Sequence, residues 1–174
     1  MRVAVLIADL YEDPELIFPY YRLLEQGYEV DLVGCEDGVE YRGKRGTSMT
    51  STVSAADLDA SELDALVIPG GYSPDHMRRC PPMVDLVREM GRSGKPVGAI
   101  CHGPWMLASA GLLEGRRATS FYSIRDDVIN AGAEWVDEET VRDGNLVTAR
   151  SPADLPTFMH TFIEMLAAEK VSAH

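Results

Sequence analysis

The residue best placed for covalent chemistry is Cys101. It stands in Val97-Gly98-Ala99-Ile100-Cys101-His102-Gly103-Pro104-Trp105, where an apolar run stops, a cysteine occupies the turn and Gly103-Pro104 opens a helix. A sharp strand-to-helix turn of this kind is a nucleophile elbow, which projects one side chain above the carboxyl edge of a sheet. Ala99-Ile100-Cys101-His102-Gly103 fits it with alanine at the first small position and cysteine as the nucleophile. Amides and dipole at the helix start would lower the thiol from its usual value of about 8.5. The competing reading, an inert buried cysteine acting as a small apolar residue, is disfavoured by the turn around it. Cys35 ends a strand with no helix or glycine turn behind it, and Cys80 lies in the polar Arg78-Arg79-Cys80-Pro81 loop; both read as structural or incidental.

Three further features share the candidate site's side of the chain. His102 adjoins the cysteine, although neighbours at a turn can point apart, and a helix-start histidine bonded to backbone is the alternative. Of the other histidines, His76 follows the Gly70-Gly71 turn, His160 lies off the apolar stripe of the last helix and His174 ends the chain. Gly70-Gly71 closes a short apolar strand and either turns its amides toward a developing oxyanion or makes an ordinary tight turn. Glu12, past the end of the first strand, is a site carboxylate or a first-turn acid favoured by the helix dipole. Glu12, Gly70-Gly71 and Cys101 would all line one edge of a parallel sheet, where ligands of such sheets bind.

The elements that must position these groups follow from periodicity. Residues 3–7 form a continuous apolar run, as a buried parallel strand requires. Asp13-Pro14 then offers an N-cap and an N1 proline. Leu16, Ile17, Tyr20, Leu23 and Leu24 fall at helical spacing, Pro19 should kink that helix, and Gly27 ends it. Residues 28–34 read as a second strand, and residues 38–53 as a polar hairpin or excursion around Gly43-Lys44-Arg45-Gly46. Strands at 65–68 and 97–100 alternate with helices at 82–94 and 104–111. A strand at 117–120, a helix at 124–131 and a hairpin at 139–149 follow. Ser151, Pro152 and Asp154 cap a last helix striped by Leu155, Phe158, Met159, Phe162, Ile163 and Leu166. This pattern predicts an α/β fold, a doubly wound, mostly parallel sheet sandwiched by helices in the flavodoxin-like or Rossmann-like manner. One domain over residues 1–168 with a tail at 169–174 is expected.

Composition limits the partners. The 174 residues carry 16 Lys+Arg against 28 Asp+Glu, a formal net charge of −12, which disfavours nucleic acid and anionic membrane. Three cysteines without CxxC or CxxxH spacing argue against a disulfide framework and a zinc site, and point to a reducing compartment. The first apolar run is too short to span a membrane and no cleavage site follows it, so a cytoplasmic protein is expected.

In this setting the sequence resembles the ThiJ/PfpI family of the class I glutamine amidotransferase-like group, and most of all its PfpI branch. The resemblance is carried by Tyr11-Glu12-Asp13-Pro14-Glu15-Leu16, Ile68-Pro69-Gly70-Gly71-Tyr72-Ser73-Pro74-Asp75, Ala99-Ile100-Cys101-His102-Gly103-Pro104, residues 126–132 and Arg150-Ser151-Pro152-Ala153-Asp154-Leu155, in order along nearly the whole chain. It implies a stress-response cysteine enzyme that needs no cofactor and no metal, with Cys101 as nucleophile and His102 assisting. Glu12 would be the acid touching the sulfur, protonated because a carboxylate beside a thiolate raises both pKa values. Gly70, Gly71 and the His102 amide would form the oxyanion hole. Asp75 would reach the histidine of a neighbouring subunit in a homodimer or homohexamer; as aspartate it must come closer than the glutamate found in relatives. Phe121 replaces a frequent tyrosine. The implied substrates are small dicarbonyls or their protein adducts (glyoxalase or deglycase chemistry), or peptide bonds. The alternative is a non-catalytic, redox-responsive stress protein with an oxidisable Cys101. A glutaminase triad is disfavoured, since no suitable His/Glu pair follows residue 150.

Overall fold

The computed structural model describes residues 1–172. In chain order its elements are β1 (Arg2–Leu6), α1 (Asp13–Glu25), β2 (Glu29–Gly34), β3 (Glu40–Arg42), β4 (Ser48–Thr50), β5 (Val53–Ser54), β6 (Ala65–Ile68), α2 (Ser73–Met77), α3 (Pro81–Arg92), β7 (Val97–Ile100), α4 (Pro104–Ala110), β8 (Arg117–Ala118), α5 (Arg125–Asn130), β9 (Glu134–Trp135), β10 (Thr140–Asp143), β11 (Leu146–Ala149) and α6 (Leu155–Ser172). Seven strands form one sheet in the order β10-β11-β7-β6-β1-β2-β5. Every pairing in it is parallel except the β10–β11 hairpin. This is the flavodoxin-like α/β architecture that the pattern predicts.

Strand alternation builds the two layers. Val3, Val5 and Ile7 face one core with Leu16 and Leu23 of α1 and Phe158, Phe162 and Leu166 of α6. Ala4 and Leu6 face the other, with Met83, Val87 and Met90 of α3 and Met106 and Leu107 of α4. Both sides of the central strands are dry, so they read as unbroken apolar runs rather than as alternating ones. Gly98 is required where α6 lies closest to β7, because a Cβ there would stand 2.9 Å from the Phe158 ring. Among the described residues no helix is long and apolar enough to cross a membrane.

Several local expectations change. Asp13 is the first residue of α1 rather than its cap; Glu12 takes the cap position, without a side-chain cap bond. The Asp13 carboxylate is drawn away by the β3–β4 loop, accepting from the Arg45 amide at 2.9 Å and from Thr47 Oγ1 at 2.6 Å. Ser151 makes no side-chain cap bond either, and Pro152–Asp154 forms a 3-10 turn ahead of α6. Asp154 there accepts from Arg150 Nε at 2.9 Å. The strand expected at 117–120 shortens to β8, which pairs only with β9. The last helix continues through Ser172, beyond residue 168. β5 and α2 were not foreshadowed by periodicity, being two and five residues long.

The cysteine reading needs a larger correction. Cys35, just past β2, is joined by a disulfide to Cys80, just before α3, with the two Cα atoms 6.0 Å apart and a separation of 45 in sequence. Motif spacing detects only partners close along the chain, whereas here the fold delivers the second cysteine from another layer. Cys101 is the one free thiol among the described residues, and the inference from cysteine spacing to a reducing compartment loses its premise. Cross-linking across 45 residues restricts the unfolded chain by about 4 kcal/mol. Denatured protein should therefore titrate one thiol before reduction and three after it. The Cys35→Ser/Cys80→Ser variant should melt about 10 °C below the wild type in calorimetry.

Candidate active site

β7, β6 and β1 are neighbours in the sheet, so their carboxyl ends bring the candidate groups together. Cys101 follows β7 at φ 63°, a left-handed conformation that costs a non-glycine residue about 1–2 kcal/mol. The surroundings hold it there. Its amide donates to Ala149 O at 2.9 Å, and its carbonyl accepts from the Phe121 amide at 2.8 Å. Gly103 lets the chain re-enter a helix at once, since a Cβ on it would lie 2.6 Å from Ile68 O. The elbow is therefore a strained turn clamped by its neighbours, and Cys101 is 6% exposed.

The structure brings His102 to the sulfur, with Nδ1 3.2 Å from Sγ. The ring is fixed on its other side by Ser123 Oγ, 3.1 Å from Nε2. It stacks on Phe121 at 5.1 Å and meets the edge of Trp105 at 5.2 Å. Burial, and then the charge of Lys44, hold its pKa below the usual histidine value, so at neutral pH the imidazole is an uncharged base. Ser123 gave no sequence signal, because its β8–α5 loop has no periodicity to place it.

The carboxylic acid beside the cysteine is Glu15, not Glu12. Glu15 is fully buried; its Oε2 accepts the Gly70 amide at 2.8 Å, while its Oε1 has no hydrogen-bond partner among the described residues. Burial pushes it up to about 8 against the pull of the Gly70 amide and the neighbouring Cys101 thiol, so it carries a proton at pH 7. Glu12 instead binds Lys44 Nζ at 2.8 Å and Arg45 Nε at 2.9 Å. Burial raises Glu12, but those two cations outweigh it and hold the carboxyl below its usual range. The reason is positional. Both acids precede Leu16, Pro19 and Leu23 at helical spacing, so periodicity puts both on the buried face of α1. Glu12 at the cap position reaches the β3–β4 loop, and Glu15 one turn further in reaches the core.

The glycine turn divides its work. The Gly70 amide is taken by Glu15, and a Cβ at Gly70 would lie 2.6 Å from that carboxylate and 2.8 Å from the Cys101 Cβ. The amides of Gly71 and His102 lie on the Cys101 side of the turn and favour the ionised form of its thiol. Gly71 adopts φ +72°, against a backbone that would sit 2.4 Å from any Cβ. Burial and then the nearness of Glu15 push the Cys101 thiol well above its usual value, and the Gly71 and His102 amides offset only part of this, so the lowering expected from the elbow's amides and dipole is overturned by desolvation. Sulfur and carboxyl thus compete for a proton, and a thiolate here requires that Glu15 keep it.

A cavity of ≈ 490 Å³ opens on this cluster; Cys101, His102, Gly71, Glu12, Lys44 and Arg45 line it together with Tyr72, Phe121, Ser123 and Pro152. Asp75 is not brought to His102 within the chain: its side chain is 65% exposed and lies 3.7 Å from Arg79. His76 hydrogen-bonds Arg79, and His160 pairs with Glu164. His174 lies outside the described residues. Among the described residues no group of three or more His, Cys, Asp and Glu could hold a metal ion.

The chain is 47% identical over 166 residues to Deglycase PfpI of Pyrococcus furiosus, covering 95% of this chain and 99% of that protein. It is 43% identical over 169 residues to Protein/nucleic acid deglycase 2 of Escherichia coli, covering 96% and 98%. Among solved structures it superposes with TM-score 0.94 and 44% identity on a two-domain protein of Anabaena variabilis containing DJ-1/ThiJ/PfpI-like and ferritin-like domains, covering 95% of this chain but 48% of that one. Residues 1–165 match the DJ-1/PfpI family, and the chain belongs to that family.

Proposed function

We propose that the protein is a cysteine-dependent enzyme acting on small dicarbonyls or their adducts on proteins, with Cys101 as the nucleophile. The observation that carries the reading is a free thiol held at φ 63° in a cavity, with an uncharged histidine 3.2 Å from its sulfur. Relatives bearing the name deglycase support an enzyme of this kind. With a 2-oxoaldehyde, Sγ adds to the aldehyde carbon to give a hemithioacetal, and the Gly71 and His102 amides bind the oxyanion. Glu15 keeps the proton that a thiolate must not reclaim. His102 moves a proton from the attacked carbon to its neighbour, a task suited to an unprotonated imidazole oriented by Ser123. The resulting thioester is hydrolysed by water, releasing a 2-hydroxy acid and restoring the thiol. The aldehyde is oxidised as the adjacent ketone is reduced, so no external oxidant enters. Cysteine protease chemistry would use the same nucleophile.

Incubation with methylglyoxal should yield lactate, and Cys101→Ser should lower kcat/KM by at least about 10³-fold. A wild type inactive on dicarbonyls but active on peptides would favour the protease reading. Inactivity on both would favour a redox role for the same thiol.

The protonated state of Glu15 has a separate thermodynamic signature. Its folded pKa of about 8 lies above the ordinary glutamate value of 4.5, so the unfolded chain releases a proton that the folded one retains. The stabilisation is fully present below pH 4.5 and is lost as pH rises through 8, by up to about 1.4 kcal/mol per pH unit. Urea unfolding should show the wild type losing stability relative to Glu15→Gln as pH rises across that window.

The reading extends to an oligomer in which Asp75 serves a neighbouring copy's His102, supported by the exposure of Asp75 beside the turn that carries Gly71. Asp75→Asn and Cys101→Ser should each be inactive alone, yet co-refolding them should recover activity. Recovery should fail if Asp75 acts within its own chain or not at all.

A further inference from the structure

The β3–β4 loop is fastened to the start of α1 at several points. Lys44 N donates to Tyr11 O at 2.9 Å, and Asp13 accepts from the Arg45 amide, the Thr47 amide and Thr47 Oγ1. The Tyr11 hydroxyl meets Thr47 Oγ1 at 3.0 Å. Gly43 is needed at this junction, since a Cβ on it would stand 2.6 Å from the Asp13 carboxylate. Fastened this way, the loop presents both its cations, Lys44 and Arg45, to the cavity.

Glu12 is the single ionised acid lining that cavity, and each of its oxygens is already engaged by one of the two cations. Asp13 is turned to the loop backbone and Glu15 is buried, and neither lines the cavity. Of the ionised side chains that do, Lys44 and Arg45 outnumber Glu12 by one charge, in a chain whose formal net charge is −12. Donors are left over as well. Among the described residues nothing accepts from Arg45 Nη1 or Nη2, and Glu12 is the single hydrogen-bond acceptor of Lys44 Nζ, which also lies 5.2 Å from the centre of the Tyr72 ring. A guanidinium fork beside an ammonium suits a carboxylate, and one surplus charge matches a monoanion better than a phosphate dianion.

We propose that Lys44 and Arg45, held by Glu12, form a subsite for a carboxylate carried by the carbonyl compound that Cys101 attacks, so that acid-bearing substrates are preferred to neutral ones. The inference rests on Cys101 as the reacting group and adds the substrate class.

A pair of alkylating probes of like size tests it. The thiolate displaces iodide from iodoacetate and from iodoacetamide alike, so the ratio of the two rates reports charge near the sulfur. Any change in thiolate fraction cancels within each variant. At low ionic strength the ratio should fall about fivefold from wild type to Lys44→Gln/Arg45→Gln. It should be largely retained in Arg45→Lys, and should collapse toward the double variant's value in 1 M salt. Glu12→Gln should raise it, since that change adds a second surplus charge. A ratio that is equal in wild type and the double variant, or unmoved by Glu12→Gln, overturns the subsite. Should the double variant not fold, the Glu12→Gln arm still decides. Alkylation needs no turnover, so a failure on dicarbonyls with the ratio intact would count against the proposed reaction and not against the subsite.

Discussion

The hydrogen bond from the Gly70 amide to the buried carboxyl of Glu15 is the constraint on which the rest of the site depends. It ties the first turn of α1 to the loop after β6, directly beneath the residue that follows β7, so three strand ends share one buried acid. The acid tolerates that position only in its neutral form, because no cation accompanies it into the core. Cys101 can then be a thiolate only while that proton stays on the carboxyl. Stability and reactivity are in this way set by the same proton.

Around that centre the chain separates two carboxylates by a single helical turn. Glu12, at the surface end, is kept ionised by Lys44 and Arg45, whereas Glu15, one turn deeper, is kept neutral by burial. The division resembles the general device by which two acids of one site acquire different roles from their environments. It also makes the β3–β4 hairpin part of the site. Without that loop Glu12 would be a buried charge with no partner, and the cavity would lose the positive charge that now offsets it.

The parts of the molecule legible in the sequence are those governed by repetition. Unbroken apolar runs gave β1, β6 and β7 and with them the parallel sheet, and the Ile-Cys-His-Gly turn marked the elbow. The choice between Glu12 and Glu15 was not legible, because both fit the same helical face and only depth distinguishes them. Ser123 and the Cys35–Cys80 bridge were hidden for a related reason. Each depends on a contact between segments distant in sequence, and neither segment carries a period or a motif. Lys44 and Arg45 were visible as a polar hairpin tip, but their orientation toward the cavity is set by Asp13, whose own expected task was to cap a helix.

The disulfide has a consequence for motion as well as for stability. The segment from Gly70 to Cys80 carries the Gly71 amide, Tyr72 and Asp75. It is anchored at one end by the Glu15 carboxyl and at the other by the bond to Cys35. A stretch of backbone pinned at both ends has few ways to open locally. Any surface that docks on α2 therefore meets a segment already ordered, and association there need not supply the entropy of freezing it.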